Sequence, residues 1–250
     1  PKTIAIIGAS RTPGKVGHEL LKNLIEGKFP GQLFPINPEG EEILGRKMYA
    51  RILDVPEKID LAIIAIPASG VLQALQQCKK KNISHVLIIS SGFKEIGNEK
   101  LEQKIKSFLH KNKMYAIGVN CLGIYDAYTN VDALFIPRYK LRRPEKGSIS
   151  FVCQSGSIGA AILDLATHEG HAFSKFISYG NATDLDESDF LNYLEHDDTT
   201  KVICLYIEGI QHGEKFFRTL QQVSRKKPII VLKGGLSDAG NKAVISHTGS

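Results

Sequence analysis

The sequence predicts an α/β protein with two doubly wound domains, each a mostly parallel sheet with helices on its faces. Short runs of β-branched and other apolar residues recur along the chain, and amphipathic segments of helical length separate them. The chain also has 250 residues with 42% hydrophobic content, enough to bury one large core or two ordinary ones.

The first domain is predicted over residues 1–126, where five apolar runs have the length and composition of strands. The predicted strands lie near Thr3–Ile7, Gln32–Ile36, Leu61–Ile66, His85–Ile89 and Tyr115–Ile117. An amphipathic helix containing Leu20, Leu21 and Leu24 follows the first strand. This order of strand, glycine-containing loop and helix is typical of a Rossmann-like domain.

An inter-domain connection is predicted over 127–147, because Pro137, Pro144 and five basic residues interrupt the alternation there. A second series follows over 148–250. Its predicted strands are Ser148–Cys153, Ala172–Ile177, Val202–Ile207 and Ile229–Lys233, and its predicted helices are Ile158–His168, Glu187–Glu195 and Gly213–Arg225. After Lys233 the chain is rich in glycine, serine and asparagine, which predicts a loop, and we expect the second domain to be incomplete at its C-terminus.

The cysteines and histidines predict neither a disulfide framework nor a metal site. Four cysteines, Cys78, Cys121, Cys153 and Cys204, lie far apart without a C-x-x-C pair, and no histidine stands at metal-ligand spacing. We therefore predict no metal site in this chain.

The formal charge of +6 comes from small, separate basic clusters, which predict solvated faces rather than a nucleic-acid interface. A mild positive charge also suits a polyphosphorylated ligand. No apolar run reaches the roughly 18–20 residues that span a bilayer, and the start of the chain lacks the order of a signal peptide. The sequence predicts a cytoplasmic protein that binds neither nucleic acid nor membrane.

The first loop has the position of a nucleotide-type site. Gly8 and Gly17 flank a turn from strand to helix, where the backbone can approach a phosphate. The loop is not the dinucleotide fingerprint, since residues 8–10 lack its second glycine, and it is not a P-loop, since Val16 replaces the hydroxyl residue that binds magnesium. Asn37, at the end of the second strand, argues against NAD. The alternative is a Rossmann-like scaffold whose glycines only form turns.

A turn of the same kind opens the second domain. Ser155, Gly156 and Ser157 stand between a predicted strand and a predicted helix, where backbone N–H groups and hydroxyls can bind an anion. A plain helix N-cap explains the same residues, and both interpretations stay open.

His247 lies in the sequence S-H-T-G-S near the C-terminus. An imidazole on a loop of small residues can attack a phosphoryl centre and carry the phosphate away. A carboxylate at a strand end is the natural group to hold the other ring nitrogen, and Glu208 follows the predicted strand 202–207. An ordinary loop histidine and a solvent-facing glutamate are the alternatives.

Segments of the chain resemble, in order, the NDP-forming acyl-CoA synthetases, the family that includes ADP-forming acetyl-CoA synthetases and the alpha subunit of succinyl-CoA synthetase. Those that resemble the CoA-binding domain are IAIIGASRTPGKVG, LFPINPEGEEILGRKMY, LAIIAIP, IISSGFKEIG and GVNCLG. In the second half, KPIIVLKGG followed by SHTGS resembles the phosphohistidine loop of the same family. The resemblance covers essentially the whole chain and implies a CoA-binding Rossmann-like domain followed by a flavodoxin-like ligase domain.

The resemblance also implies site residues. The implied CoA contacts are Gly8, Ser10, Arg11, Pro13, Lys15, Asn37, Pro67, Ser90, Ser91 and Gly92. The implied phosphate-binding residues are Asn120, Ser155, Gly156 and Ser157, and the implied catalytic residues are His247 and Glu208. Two positions depart from the family pattern: Glu39 replaces a common lysine, and Val119 replaces the proline of G-P-N-C-x-G.

The resemblance implies a component of an acid–thiol ligase that interconverts acyl-CoA, NDP and phosphate with carboxylic acid, CoA and NTP. Coenzyme A and phosphate would bind here, and ADP or ATP with Mg²⁺ would bind an ATP-grasp subunit or domain, for which the sequence has no candidate. We therefore expect the chain to be inactive alone and to work in an oligomer. A CoA-sensing regulatory module without turnover is the main alternative, and an NAD-dependent oxidoreductase is disfavoured by Asn37.

Overall fold

A computed structural model describes residues 1–236 of the chain, so the predicted phosphohistidine at His247 lies outside the described residues. In the first half, the elements are β1 (Thr3–Ile7), α1 (Val16–Glu26), β2 (Gln32–Ile36), β3 (Glu42–Ile43), β4 (Arg46–Lys47), β5 (Leu61–Ile64), α2 (Ala68–Lys80), β6 (His85–Ile88), α3 (Glu99–Asn112) and β7 (Tyr115–Gly118). The second half contains β8 (Gly123–Asp126), β9 (Val131–Leu134), β10 (Lys146–Cys153), α4 (Gly156–His168), β11 (Phe173–Ser178), α5 (Glu187–Glu195), β12 (Val202–Ile207), α6 (Gly213–Ser224) and β13 (Ile229–Lys233).

The first sheet is parallel, with its five strands in the order β2-β1-β5-β6-β7. Helices cover both of its faces, so the middle of β1 is fully buried. Ala5 packs with α2 and α3 on one face, whereas Ile4 and Ile6 pack with α1 on the other. The short hairpin β3–β4 and a turn of 3₁₀ helix at Ile52–Asp54 lie between β2 and β5.

The second sheet has six strands in the order β13-β12-β10-β11-β8-β9. The four strands from β13 to β11 are parallel, and β8 and β9 extend the sheet as an antiparallel pair. Together the two sheets confirm the predicted α/β class, in which each sheet is mostly parallel and has flanking helices.

The predicted elements agree with the structure to within two residues at each end. The largest difference concerns the hairpin β8–β9, because β8 ends the region predicted as the first domain and β9 lies in the predicted connection 127–147. Both strands pair with the second sheet. The prolines and four of the five basic residues that suggested a linker occupy the loop between β9 and β10, and the fifth, Lys146, begins β10.

The hairpin also packs on the first domain. Val131 and Ala133 of β9 share a core cluster with Leu20 and Leu24 of α1. On the same helix, the fully buried Asn23 donates from Nδ2 to the carbonyl of Leu134 at 2.6 Å and to that of Ile136 at 3.0 Å. The hairpin therefore belongs to one sheet and is packed by a helix of the other, which ties the two halves together.

Within residues 1–236, none of the helices has both the length and the apolar character that crossing a bilayer requires.

Candidate functional site

A cavity of about 700 Å³ opens between the two halves, at the carboxyl ends of parallel strands from both sheets. Such strand ends are where open α/β sheets bind ligands. The lining residues are Gly8, Ser10, Lys15, Val16, Gly17, Ala65, Ile66, Pro67, Ile89, Ser90, Ser91, Asn120, Cys121, Leu122, Phe135, Ile136, Gln154, Gly156, Ser157, Ala160, Gly180 and Asn181.

The first loop forms one wall and depends on two close backbone approaches. Gly8 has φ +96°, a conformation that favours glycine, and a Cβ at Gly17 would lie 1.9 Å from the carbonyl oxygen of Gly8. Glu19 accepts a hydrogen bond from the Gly14 amide at 2.8 Å, which fixes the turn into α1. The glycines therefore bring the start of α1 and Lys15 to the cavity.

The ends of β5 and β6 form the floor. Ser90 is buried, and its hydroxyl accepts from the Ile66 amide at 3.2 Å and donates to the Ile64 carbonyl at 3.4 Å. This hydroxyl cross-links the two strand ends, whereas Ser91 is exposed at the cavity.

The second domain contributes the beginning of α4. Ser155 is the N-cap, and its hydroxyl accepts from the Ile158 amide at 3.4 Å and lies 3.2 Å from the Ser157 hydroxyl. The N-cap interpretation of Ser155 therefore describes the geometry, while Gly156 and Ser157 face the cavity at the positive end of a 13-residue helix. This end of the cavity can bind an anion.

Gln154 connects this turn to the end of β12. Its Oε1 accepts from the backbone amides of Glu208 at 2.8 Å and Gly209 at 3.0 Å. Because those amides fix the carbonyl oxygen of the side chain, its Nε2 must be directed elsewhere, and the residue lines the cavity. Glu208 itself is buried, and the Tyr206 hydroxyl donates to its Oε1 at 3.4 Å.

The thiol next to this turn is not a nucleophile at neutral pH. Burial raises the pKa of Cys153 to about 12, and its Sγ lies 2.9 Å from the Ser155 carbonyl oxygen as a hydrogen-bond donor. Among residues 1–236, no group of three or more His, Cys, Asp or Glu side chains is placed to hold a metal ion.

Two family models match the chain: one described as a CoA binding domain over residues 2–127, and one described as a succinyl-CoA ligase like flavodoxin domain over 146–250. An acetate–CoA ligase (ADP-forming) of Methanocaldococcus jannaschii is 45% identical over 250 residues. This chain belongs to the NDP-forming acyl-CoA synthetase family.

Two further relatives agree with this assignment. The alpha subunit of acetate–CoA ligase (ADP-forming) II of Pyrococcus furiosus is 43% identical over 252 residues. The structure of acetyl-coenzyme A synthetase 1 of Ca. Korarchaeum cryptofilum, in complex with phosphate and ADP, matches all of this chain and 53% of that chain, with a TM-score of 0.93 and 39% identity. All of this chain is matched in the curated relatives, but it spans only 34% of the M. jannaschii protein and 54% of the P. furiosus subunit.

Several of the residues that the family resemblance implied come together at the cavity. They are Gly8, Ser10, Lys15, Pro67, Ser90, Ser91, Asn120, Gly156 and Ser157. The lining does not include the other implied residues within 1–236, which are Arg11, Pro13, Asn37, Gly92, Ser155 and Glu208.

Asn37 contacts the first loop although it does not line the cavity. Its Nδ2 donates to the Ala9 carbonyl at 2.6 Å, and its Oδ1 accepts from the Glu39 amide at 2.8 Å. Arg11 donates to the Glu39 carbonyl at 3.2 Å. The amide of Asn37 and the guanidinium of Arg11 therefore join the first two loops. Glu39, which replaces the common lysine of the family, contacts both of these side chains through its backbone.

Gln154, Phe135 and Ile136 also line the cavity and were not among the predicted site residues. The sequence pattern that could have predicted Gln154 is a polar residue directly before the Ser155 turn. No sequence pattern marked Phe135 and Ile136, because their position depends on β9 pairing with the second sheet.

Proposed function

We propose that this chain is the CoA-binding, phosphohistidine-carrying component of an NDP-forming acyl-CoA synthetase. The observation that carries the proposal is the shared cavity, in which the glycine loop of the first domain faces the start of α4 in the second. Lys15 and backbone amides suit the phosphates of CoA, and apolar residues such as Ile66 and Ile136 suit its uncharged part. The start of α4 suits inorganic phosphate.

In the proposed reaction, inorganic phosphate attacks the acyl carbon of acyl-CoA. The new bond is between carbon and phosphate oxygen, the carbon–sulfur bond breaks, and CoA leaves as the thiolate, which takes up a proton. A ring nitrogen of His247 then attacks phosphorus and displaces the carboxylate, and ADP or GDP finally accepts the phosphoryl group. The amides at Gly156 and Ser157 stabilise the charge on the phosphoryl oxygens, and Glu208 holds the other ring nitrogen.

The nucleotide step needs another part of the assembly. We propose that an ATP-grasp domain or subunit, joined to this chain or associated with it in an oligomer, binds the nucleotide together with Mg²⁺. The lengths of the relatives support this, since the chain spans about a third to a half of them. The chain is then expected to bind CoA by itself but not to complete the reaction.

The first test is calorimetric titration of the 250-residue chain with CoA. We expect saturable binding, and about a tenfold loss of affinity in a Lys15→Ala variant, because one charge-assisted phosphate contact disappears. NADH serves as the control ligand. Tight binding of NADH without binding of CoA would reject the assignment.

The second test supplies the acyl phosphate directly. Incubation of the chain with acetyl phosphate should add the mass of one phosphoryl group in an acid-labile, alkali-stable form, and a His247→Asn variant should add none. Glu208→Gln should slow the transfer. CoA binding without any phosphorylation would instead favour the regulatory module.

A further inference from the structure

Asn181 is a buried residue at the boundary between the two halves, and it lines the cavity. It follows β11 of the second sheet, yet its Nδ2 donates to two carboxylates of the first domain, Glu95 Oε2 at 2.9 Å and Glu102 Oε2 at 3.0 Å. Its Oδ1 accepts from Asn120 Nδ2 at 3.3 Å. The side-chain amide therefore uses both of its N–H groups and its oxygen.

Glu95 extends this contact to the turn after β6. Its Oε1 accepts from the backbone amides of Gly92 at 2.6 Å and Phe93 at 3.1 Å. Gly92 has φ +108°, so the turn adopts a backbone conformation that favours glycine. Burial raises the pKa of Glu95, but the hydrogen bonds from Asn181 and from the Gly92 and Phe93 amides outweigh it, so the pKa is lowered and the acceptor is charged at neutral pH.

Glu102 makes a second connection of the same kind. Its Oε1 accepts from the Thr183 hydroxyl at 2.9 Å, and its Oε2 accepts from the Lys94 amide at 3.1 Å. Glu102 is buried and Glu95 is half-buried. Two neighbouring carboxylates that are partly removed from water repel each other unless hydrogen-bond donors lie between them. The Nδ2 of Asn181 donates to both.

We propose that Asn181 is a positioning residue for CoA. Through Glu95, it fixes the position of the Ser91–Gly92 turn of the first domain relative to Asn120 and the second domain. The CoA-binding turn and the phosphate end of the cavity then stay in the same relative position when CoA binds. This inference rests on the proposed function, because it assigns the turn a role in CoA binding.

The contacts predict what substitution does. Asn181→Ala leaves two neighbouring carboxylates without their shared donor, so the Gly92 turn loses its connection through Glu95 to the second domain. We expect the Kd for CoA to rise about tenfold to a hundredfold, the range for losing hydrogen bonds to charged groups. Asn181→Asp keeps the volume, introduces a third carboxylate, and should weaken CoA binding as well.

Asn98 provides the matched control. Its Nδ2 donates to the carbonyl of Gly92 at 3.1 Å, so it holds the same turn, but it is exposed and lies within the first domain. Water can replace this bond, and Asn98→Ala should change the Kd for CoA by less than about threefold.

The experiment measures CoA binding by calorimetry for the wild-type chain, Asn181→Ala, Asn98→Ala, Glu95→Ala and the double variant Asn181→Ala with Glu95→Ala. Hydrogen exchange at the Gly92 and Phe93 amides is followed in parallel. We expect faster exchange at both amides in Asn181→Ala. We also expect Asn181→Ala to cost less CoA affinity in the Glu95→Ala background than in wild type, because the connection is already broken.

Wild-type CoA affinity together with wild-type amide exchange in Asn181→Ala would overturn the inference. Equal losses of CoA affinity on adding Asn181→Ala to the wild-type and Glu95→Ala proteins would also overturn it. If Asn181→Ala does not fold, Asn181→Asp takes its place with the same criteria. Failure of the wild-type chain to bind CoA would reject the proposed function instead, so the two failures are distinguishable.

Discussion

At the scale of single residues, the hydrogen bonds of Gln154 lead to a stability prediction. Gln154→Leu keeps the shape of the side chain but leaves the Glu208 and Gly209 amides without their acceptor, which should lower the free energy of unfolding by about 1–3 kcal/mol per amide. Gln221→Leu is the control, because Gln221 is exposed on α6, and the change in its free energy of unfolding should stay within about 0.5 kcal/mol. Urea unfolding measures both, and equal midpoints for the two variants would contradict the prediction.

At the scale of elements, the loop after β9 is held by a buried ion cluster. Asp132 is fully buried, and its carboxylate lies 2.9 Å from Arg138 and 2.9 Å from Arg143, which also donates to the Ile136 carbonyl at 2.8 Å. Asp132→Asn removes the charge that both guanidinium groups share, and breaking such a buried pair costs about 3–5 kcal/mol. Because Ile136 lines the cavity, CoA affinity should fall as well.

The matched variant for this prediction is Glu214→Gln, which breaks an exposed pair with Arg218 on α6. An exposed pair of this kind contributes less than about 1 kcal/mol, so this variant should unfold at nearly the wild-type urea concentration. If Asp132→Asn were equally mild, the ion cluster would not be what holds the loop.

The same elements show what could be predicted from the sequence. Parallel strands such as β1 and β12 are local apolar runs, so their composition identified them to within two residues. The hairpin β8–β9 is short, carries Asp126 and Asp132, and is stabilised by pairing with β11, far along the chain, so composition could not reveal it. For the site, the glycine turns were local signals, whereas Asn181 and Gln154 owe their geometry to partners 79 and 54 residues away in sequence.

At the scale of the whole molecule, acid stability is a balance of opposing groups. Burial raises the pKa of the Asp184 and Glu187 carboxyl groups, so protonation in acid favours the folded state at these sites. Asp186 acts in the opposite sense. Burial raises its pKa, but the Lys215 ammonium at 3.0 Å and two backbone amides outweigh that effect and lower the pKa below its ordinary 3.8.

A depressed folded-state pKa gives stability that is present above the unfolded-state pKa and is lost as the pH falls through the folded-state pKa. Asp186→Asn keeps an acceptor for the start of α5 but removes the charge, so it should be less stable than wild type at pH 7, and the difference should shrink as the pH falls below 3.8 towards the folded-state pKa. Urea unfolding of both proteins across this pH range measures the difference, and a gap that stays constant into acid would show that the Asp186 charge does not stabilise the fold.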